Sequence, residues 1–172
     1  MKLLCFHVAG QDFGVSIAAV KETIPERPLT RLFLVPPFVA GLINLRGEVV
    51  AVLDLCALLQ LDRGAGDDGA RRRAARNIII LRASLLGGVR DPRHAAERPA
   101  AGLVVDGLDG VRDVADAEVR PPPATLAAEP AGYLDGVAAA PHEDGPPRPL
   151  LVLSAERVLG SPHLTPYRRE IR

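Results

Sequence analysis

Four histidines, His7, His94, His142 and His163, are the first side chains to weigh for chemistry. They lie far apart, and none has a cysteine or carboxylate at the short spacing that a zinc site uses. Surface and strand-edge positions suit them better than ligation. Asp67-Asp68-Gly69 begins like a calcium loop, but the further oxygen ligands do not follow. Ser16, Ser84, Ser154 and Ser161 lack the context of a nucleophile elbow. No glycine-rich loop precedes a helix to cradle a phosphate. Arg71-Arg72-Arg73, with Arg76, follows two aspartates and reads as a solvated loop, an acidic partner being the alternative. Cys5 and Cys56 form no spaced motif and read as two buried thiols rather than a disulfide. No catalytic residue, metal ligand or cofactor contact is expected.

One charged pair stands apart. Glu22 and Arg46 are each flanked by apolar residues, and partly desolvated charges need partners. They are expected to face one another across adjacent strands. Such a pair either fixes a turn or shapes a contact surface beside Val20.

The elements that position these residues are short. The chain has 172 residues, 48% of them hydrophobic, which suits one domain or two small lobes sharing a core. Only 3% are aromatic, so the interior must come from Val, Leu, Ile and Ala. Sixteen Gly and 16 Pro imply frequent turns. Residues 3–8 and 13–15 read as a hairpin, with Ser16 capping a helical turn over 17–20. Pro25 and Pro28 exclude a long helix after it. Asn77–Arg82 is apolar on both faces and reads as a buried strand. Further strands are expected over 101–105, around Val111 and Val114, over 133–139 and over 150–153, with a loop over 141–149. A short helix capped by Ser154 follows over 155–159. Residues 62–75 and 84–100 read as polar loops. Asp106-Gly107, Asp109-Gly110 and Asp135-Gly136 belong at turns and bulges. Eight to ten short strands with few helices make an all-β protein, a β-barrel or a pair of barrels.

The most informative run is Gly41-Leu42-Ile43-Asn44-Leu45-Arg46-Gly47-Glu48-Val49-Val50-Ala51-Val52-Leu53-Asp54-Leu55. It joins a tight charged turn to an alternating strand. Val49, Ala51, Leu53 and Leu55 fall on one face, and Val50 and Val52 on the other with Glu48 and Asp54. One row can fill a core while the other is free to meet a partner.

This run resembles the CheW family of chemotaxis coupling proteins. The likeness extends to Phe6-His7-Val8-Ala9-Gly10-Gln11-Asp12-Phe13-Gly14-Val15, to Val20-Lys21-Glu22-Thr23-Ile24 and to Gly102-Leu103-Val104-Val105-Asp106-Gly107-Leu108. It reaches Tyr133-Leu134-Asp135-Gly136-Val137 and the terminal stretch 150–159. The resemblance implies two packed five-stranded SH3-like β-barrels, with short helical turns and a short C-terminal helix. They form a single domain over 1–172, its first lobe mainly 13–76 and its second mainly 77–150 with the terminal segments. A hydrophobic groove is implied between the lobes. The implied role is a non-catalytic adaptor without cofactor. It binds the regulatory domain of a CheA-type histidine kinase and the cytoplasmic helical tip of methyl-accepting chemoreceptors. Val20, Glu22 and Arg46 match positions of the receptor-binding first wall, and Gly102 and Leu108 match the second wall. Val15 and Ile17 are the candidates for kinase contact, though a core position is the better reading of either. The stretch 84–100 is longer than the turn the family uses there.

Formal net charge is zero, from 21 basic and 21 acidic residues, so no nucleic acid is expected. No apolar run approaches the roughly 20 residues that span a bilayer, and no signal peptide is apparent. A cytoplasmic protein is expected. Two alternatives remain at this level. One is a CheW-like scaffold of a two-component pathway for motility or development. The other is an SH3-like module binding nucleic acid, which two Tyr, four Phe and no Trp make poor.

Overall fold

The computed structural model describes residues 1–62, 76–82, 99–123, 128–142 and 145–161. Among these residues, ten strands form two five-stranded sheets. The first sheet holds β1 (Lys2–Val8), β2 (Gln11–Ser16), β8 (Gly107–Asp113), β9 (Leu134–His142) and β10 (Gly145–Leu153), in the order β8-β1-β2-β10-β9. The second holds β3 (Val20–Pro25), β4 (Val39–Leu45), β5 (Glu48–Asp54), β6 (Asn77–Arg82) and β7 (Pro99–Val105), in the order β3-β6-β7-β5-β4. The chain crosses between sheets through a 3-10 turn, Ile17–Ala19, and again through the single residue Asp106. Short helices follow: α1 (Leu55–Leu58), α2 (Ala128–Ala131) and α3 (Ala155–Leu159).

The two sheets have one connectivity. In each, a parallel contact (β2 with β10, β5 with β7) joins an antiparallel trio to an antiparallel hairpin. Traced as β8, β9, β10, β1, β2, the first sheet repeats the path of β3 to β7. It is therefore a circular permutation of the second, with the N-terminal hairpin completing a sheet that the C-terminal half begins. Each sheet curls so that the segment after its first strand bridges to the hairpin's edge strand. Thr30 pairs with Leu42 in one, and Arg120 with Val137 in the other.

This arrangement moves the expected lobe boundary. β6 and β7 pair with β3–β5, whereas the division at 76/77 would have separated them. β2 joins β1 and the late strands. A division by chain order cannot follow a permuted sheet. The last hairpin is also longer than expected, since Gly145 already pairs with His142 where a loop over 141–149 was expected.

Strand alternation divides the apolar residues among three cores. Ile78 and Ile80 fill the interior of the second sheet with Val50, Val52, Ile43 and Leu45. Leu3 and Cys5 fill the interior of the first with Leu150 and Val152. The opposite rows, including Leu4, Phe6, Ile79, Leu81 and Leu103, meet in a third cluster shared by both sheets. Phe6 and Phe13, a directly opposed cross-strand pair, stack there at 5.7 Å between ring centroids. Helices α1 and α3 cap this shared core with Leu58, Val158 and Leu159. Asp54 starts α1, its carboxylate accepting the Ala57 N–H at 3.2 Å. Ser16 and Ser154 stand at the expected cap positions, but neither side chain makes the cap hydrogen bond.

Candidate functional site

The Arg46 turn is built by its own backbone. Leu45 pairs with Glu48, leaving Arg46 and Gly47 as a two-residue hairpin loop. Both have positive φ, 53° and 91°, as a type I′ turn requires. Asn44 supports it, its side-chain oxygen accepting the Gly47 N–H at 2.8 Å. Arginine holds this left-handed conformation against local preference.

The turn leans across the second sheet to β3. Arg46 donates to Glu22 at 2.9 Å, and Lys21 lies 3.9 Å from Glu48. Glu22 and Arg46 do meet, but not across adjacent strands, because β3 and β4 are opposite edges of the sheet. The pair links the two edges of the sheet. Nor is Arg46 desolvated: its side chain is 76% exposed, against 21% for Glu22. An exposed pair of this kind contributes about 0.2–1 kcal/mol. Its guanidinium remains largely open to a partner.

The other expected contact residues divide. Val20 is buried in the shared core, and its carbonyl accepts from Arg82 Nε at 3.0 Å. Leu108 is half-buried against the same core. Gly102 lies in the central strand β7, covered on both faces. A Cβ there would stand 2.6 Å from Ile78 Cγ2, so Gly102 serves packing and reaches no surface. Val15 is fully buried in the shared core because its row of β2 faces the second sheet. Ile17, in the crossing turn, is 41% exposed. The space between the sheets is thus filled by the shared core, with Leu108 among the half-buried residues at its margin. The β5 rows separate as expected, but neither is free to meet a partner. Val50 and Val52 fill one core, Leu53 and Leu55 another, and only Val49 at the tip is exposed.

Three features lay beyond sequence reasoning. Arg76 departs from the solvated loop expected of the arginine run, whose other members, 71–73, lie outside the described residues. Arg76 instead reaches in to Asp106, Nε to Oδ1 at 3.3 Å, with Glu26 at 3.9 Å. Asp106 also accepts the Ala9 N–H at 2.7 Å. This buried node ties the β1–β2 turn to the crossing between sheets, and only contacts distant in sequence form it. His7 pairs with Asp109 at 3.1 Å across β1 and β8. A pocket of about 570 Å³ lies against Val119, Pro121, Pro122, Pro123 and Leu134, beside Arg157. The Arg157 guanidinium is already bonded to the Leu134 carbonyl at 2.7 Å.

Among the described residues, no group of three or more His, Cys, Asp or Glu could hold a metal ion. Cys5 and Cys56 are buried free thiols. His94, His163, Ser84, the aspartates at 67 and 68 and nearly all of the 84–100 stretch lie outside the described residues. No helix among those described is long and apolar enough to cross a membrane.

Comparison with known proteins decides the family. The model of the CheW-like domain matches residues 2–163. This chain belongs to the CheW-like family. It is 30% identical over 122 residues to the chemotaxis protein CheW of Rhizobium meliloti, covering 71% of this chain and 66% of that relative. The chain thus spans slightly less than two thirds of that relative's length. It is 33% identical over 141 residues to protein FrzA of Myxococcus xanthus, covering 82% and 70%. Among solved structures, the scaffolding protein TtCheW from Thermoanaerobacter tengcongensis superposes with a TM-score of 0.67 at 22% identity. That superposition covers 90% of this chain and 84% of the other. The all-β architecture expected from sequence is the CheW-like one.

Proposed function

We propose that this CheW-like chain is a non-catalytic adaptor that couples chemoreceptors to a CheA-type histidine kinase in a chemotaxis-type pathway. The observation that carries the reading is the family match over 2–163, which includes strands of both sheets. The surface fits the role. The Arg46 guanidinium is exposed on a rigid hairpin tip, aimed by Glu22 and bordered by exposed Val49. Hydrogen-bonded, outward-facing arginine beside apolar surface is a usual ingredient of protein interfaces. On this reading the protein works in the cytoplasm. Glu22 and Arg46 face the receptor together with the margin at Val20 and Leu108, and Ile17 belongs to the kinase-facing side.

The test is a titration of the full chain against the kinase's regulatory domain and the receptor's cytoplasmic hairpin. Micromolar dissociation constants are expected, as for transient signalling contacts. Arg46→Glu should weaken receptor binding about tenfold with an unchanged unfolding midpoint, because it reverses a charge that contributes little to the fold. Unaltered binding by that variant would remove the Glu22–Arg46 surface from the interface. Absence of binding to either probe by the wild-type chain would remove the adaptor role.

A further inference from the structure

Between β3 and β4 the chain carries Arg31-Leu32-Phe33-Leu34-Val35-Pro36-Pro37. Phe33 is 91% exposed and Leu34 fully so. No other large hydrophobic side chain among the described residues approaches this. Leu34 also has φ of 61°, a left-handed conformation that a leucine adopts only at a cost. Strain of this kind concentrates where a chain binds something.

The loop stands on a fixed base. Thr30 and Leu42 exchange backbone hydrogen bonds at 2.9 and 2.8 Å, and the Phe38 carbonyl accepts the Asp54 N–H at 2.7 Å. Its charge has one sign. Glu26 turns toward Arg76, while Arg27 and Arg31 are exposed and have no acidic partner among the described residues.

We propose that residues 31–35 form a docking knob for a folded protein partner with an apolar pocket rimmed by carboxylates. Phe33 and Leu34 fill the pocket, and Arg27 and Arg31 meet the rim. A bilayer is the weaker fit, since even one acyl chain binds membranes only reversibly and two side chains offer less. A shaped pocket desolvates an aromatic side chain fully and fixes its orientation, and arginine at its edge selects an acidic rim. The knob is separate from the Glu22–Arg46 surface and rests on the adaptor reading only for the probes that test it.

Two double variants of the full chain decide the matter, Phe33→Ser with Leu34→Gly and Arg27→Glu with Arg31→Glu. The probes are the kinase regulatory domain, the receptor cytoplasmic hairpin and vesicles of equal phosphatidylglycerol and phosphatidylcholine. The apolar variant should bind one protein probe about 30-fold more weakly, with an unfolding midpoint unchanged or raised. The charge variant should weaken binding to that same probe about tenfold at low salt and less at high salt. Wild-type affinity of both variants for both proteins overturns the knob and leaves the adaptor reading intact. So does a loss confined to vesicle binding, which makes the occupant a membrane, or a loss confined to self-association, which makes it a second copy. A wild-type chain that binds neither protein sinks the knob and the adaptor reading together.

Discussion

At the residue scale, Gly102 and Cys5 show how burial sets a side chain's role. Gly102 is closed in by Ile78, Ile80 and Val52. Gly102→Ala places a methyl group inside contact distance of Ile78 Cγ2 and should cost about 1–3 kcal/mol in urea unfolding. Adding Ile78→Val should restore part of that loss. A Gly102→Ala chain that keeps full stability and loses only receptor binding would instead place Gly102 at the interface. Burial pushes the Cys5 thiol above its ordinary range, with Arg112 pulling the other way. The folded state thus favours the neutral thiol, and this contribution is present below the unfolded pKa and lost as pH rises through the folded one. Iodoacetamide at about pH 8.5 should therefore label Cys5 only at the rate of opening. Labelling as fast as in the unfolded chain would contradict the burial.

At the element scale, the Arg46 hairpin and α1 illustrate two kinds of termination. The Asn44-Leu45-Arg46-Gly47 turn is fixed by positive φ at both central residues. At the other end of β5, Asp54 ends the strand and starts α1, which delivers Leu55 and Leu58 to the shared core. Asp54→Ala should cost about 1 kcal/mol by leaving the Ala57 N–H without its cap. A chemical denaturation midpoint that does not move would show that packing alone holds the helix. The cap was legible in Asp54-Leu55 only once the strand's end was known, because an outward-facing acid at a strand end looks the same in sequence.

At the scale of the whole molecule, the Arg76–Asp106 pair joins the two sheets. Both side chains are largely buried, with 13% and 9% exposure. Removing one partner of such a pair strands the other, so Asp106→Ala should lose about 3–5 kcal/mol. It also frees the Ala9 N–H, so amide exchange should accelerate in the β1–β2 turn beyond the global change. Exchange that accelerates uniformly would mean the node does not hold that turn. The shared core makes the sheets depend on one another, and unfolding should follow a single transition.

The sequence by itself determined most of the elements and their apolar faces, though not the strand Val39–Leu45 or the helix Ala128–Ala131. Asn77–Arg82 and Ala155–Leu159 fall where pattern places them, because strand and helix periods are local properties of the chain. The turn at Arg46-Gly47 was legible in the same way, and Glu22 and Arg46 do meet, although Arg46 is solvated and the two strands are opposite edges of the sheet. The tertiary structure alone decided which strands share a sheet. A parallel contact between β2 and β10, or between β5 and β7, joins residues far apart in sequence and leaves no mark in local pattern. It also decided which of the candidate positions are buried. Gly102, a candidate through the family resemblance, is closed in on the central strand, and Val15 takes the core position that its sequence also favours. Phe33 and Leu34, unremarkable in an apolar run, stand in solvent on the connection between β3 and β4.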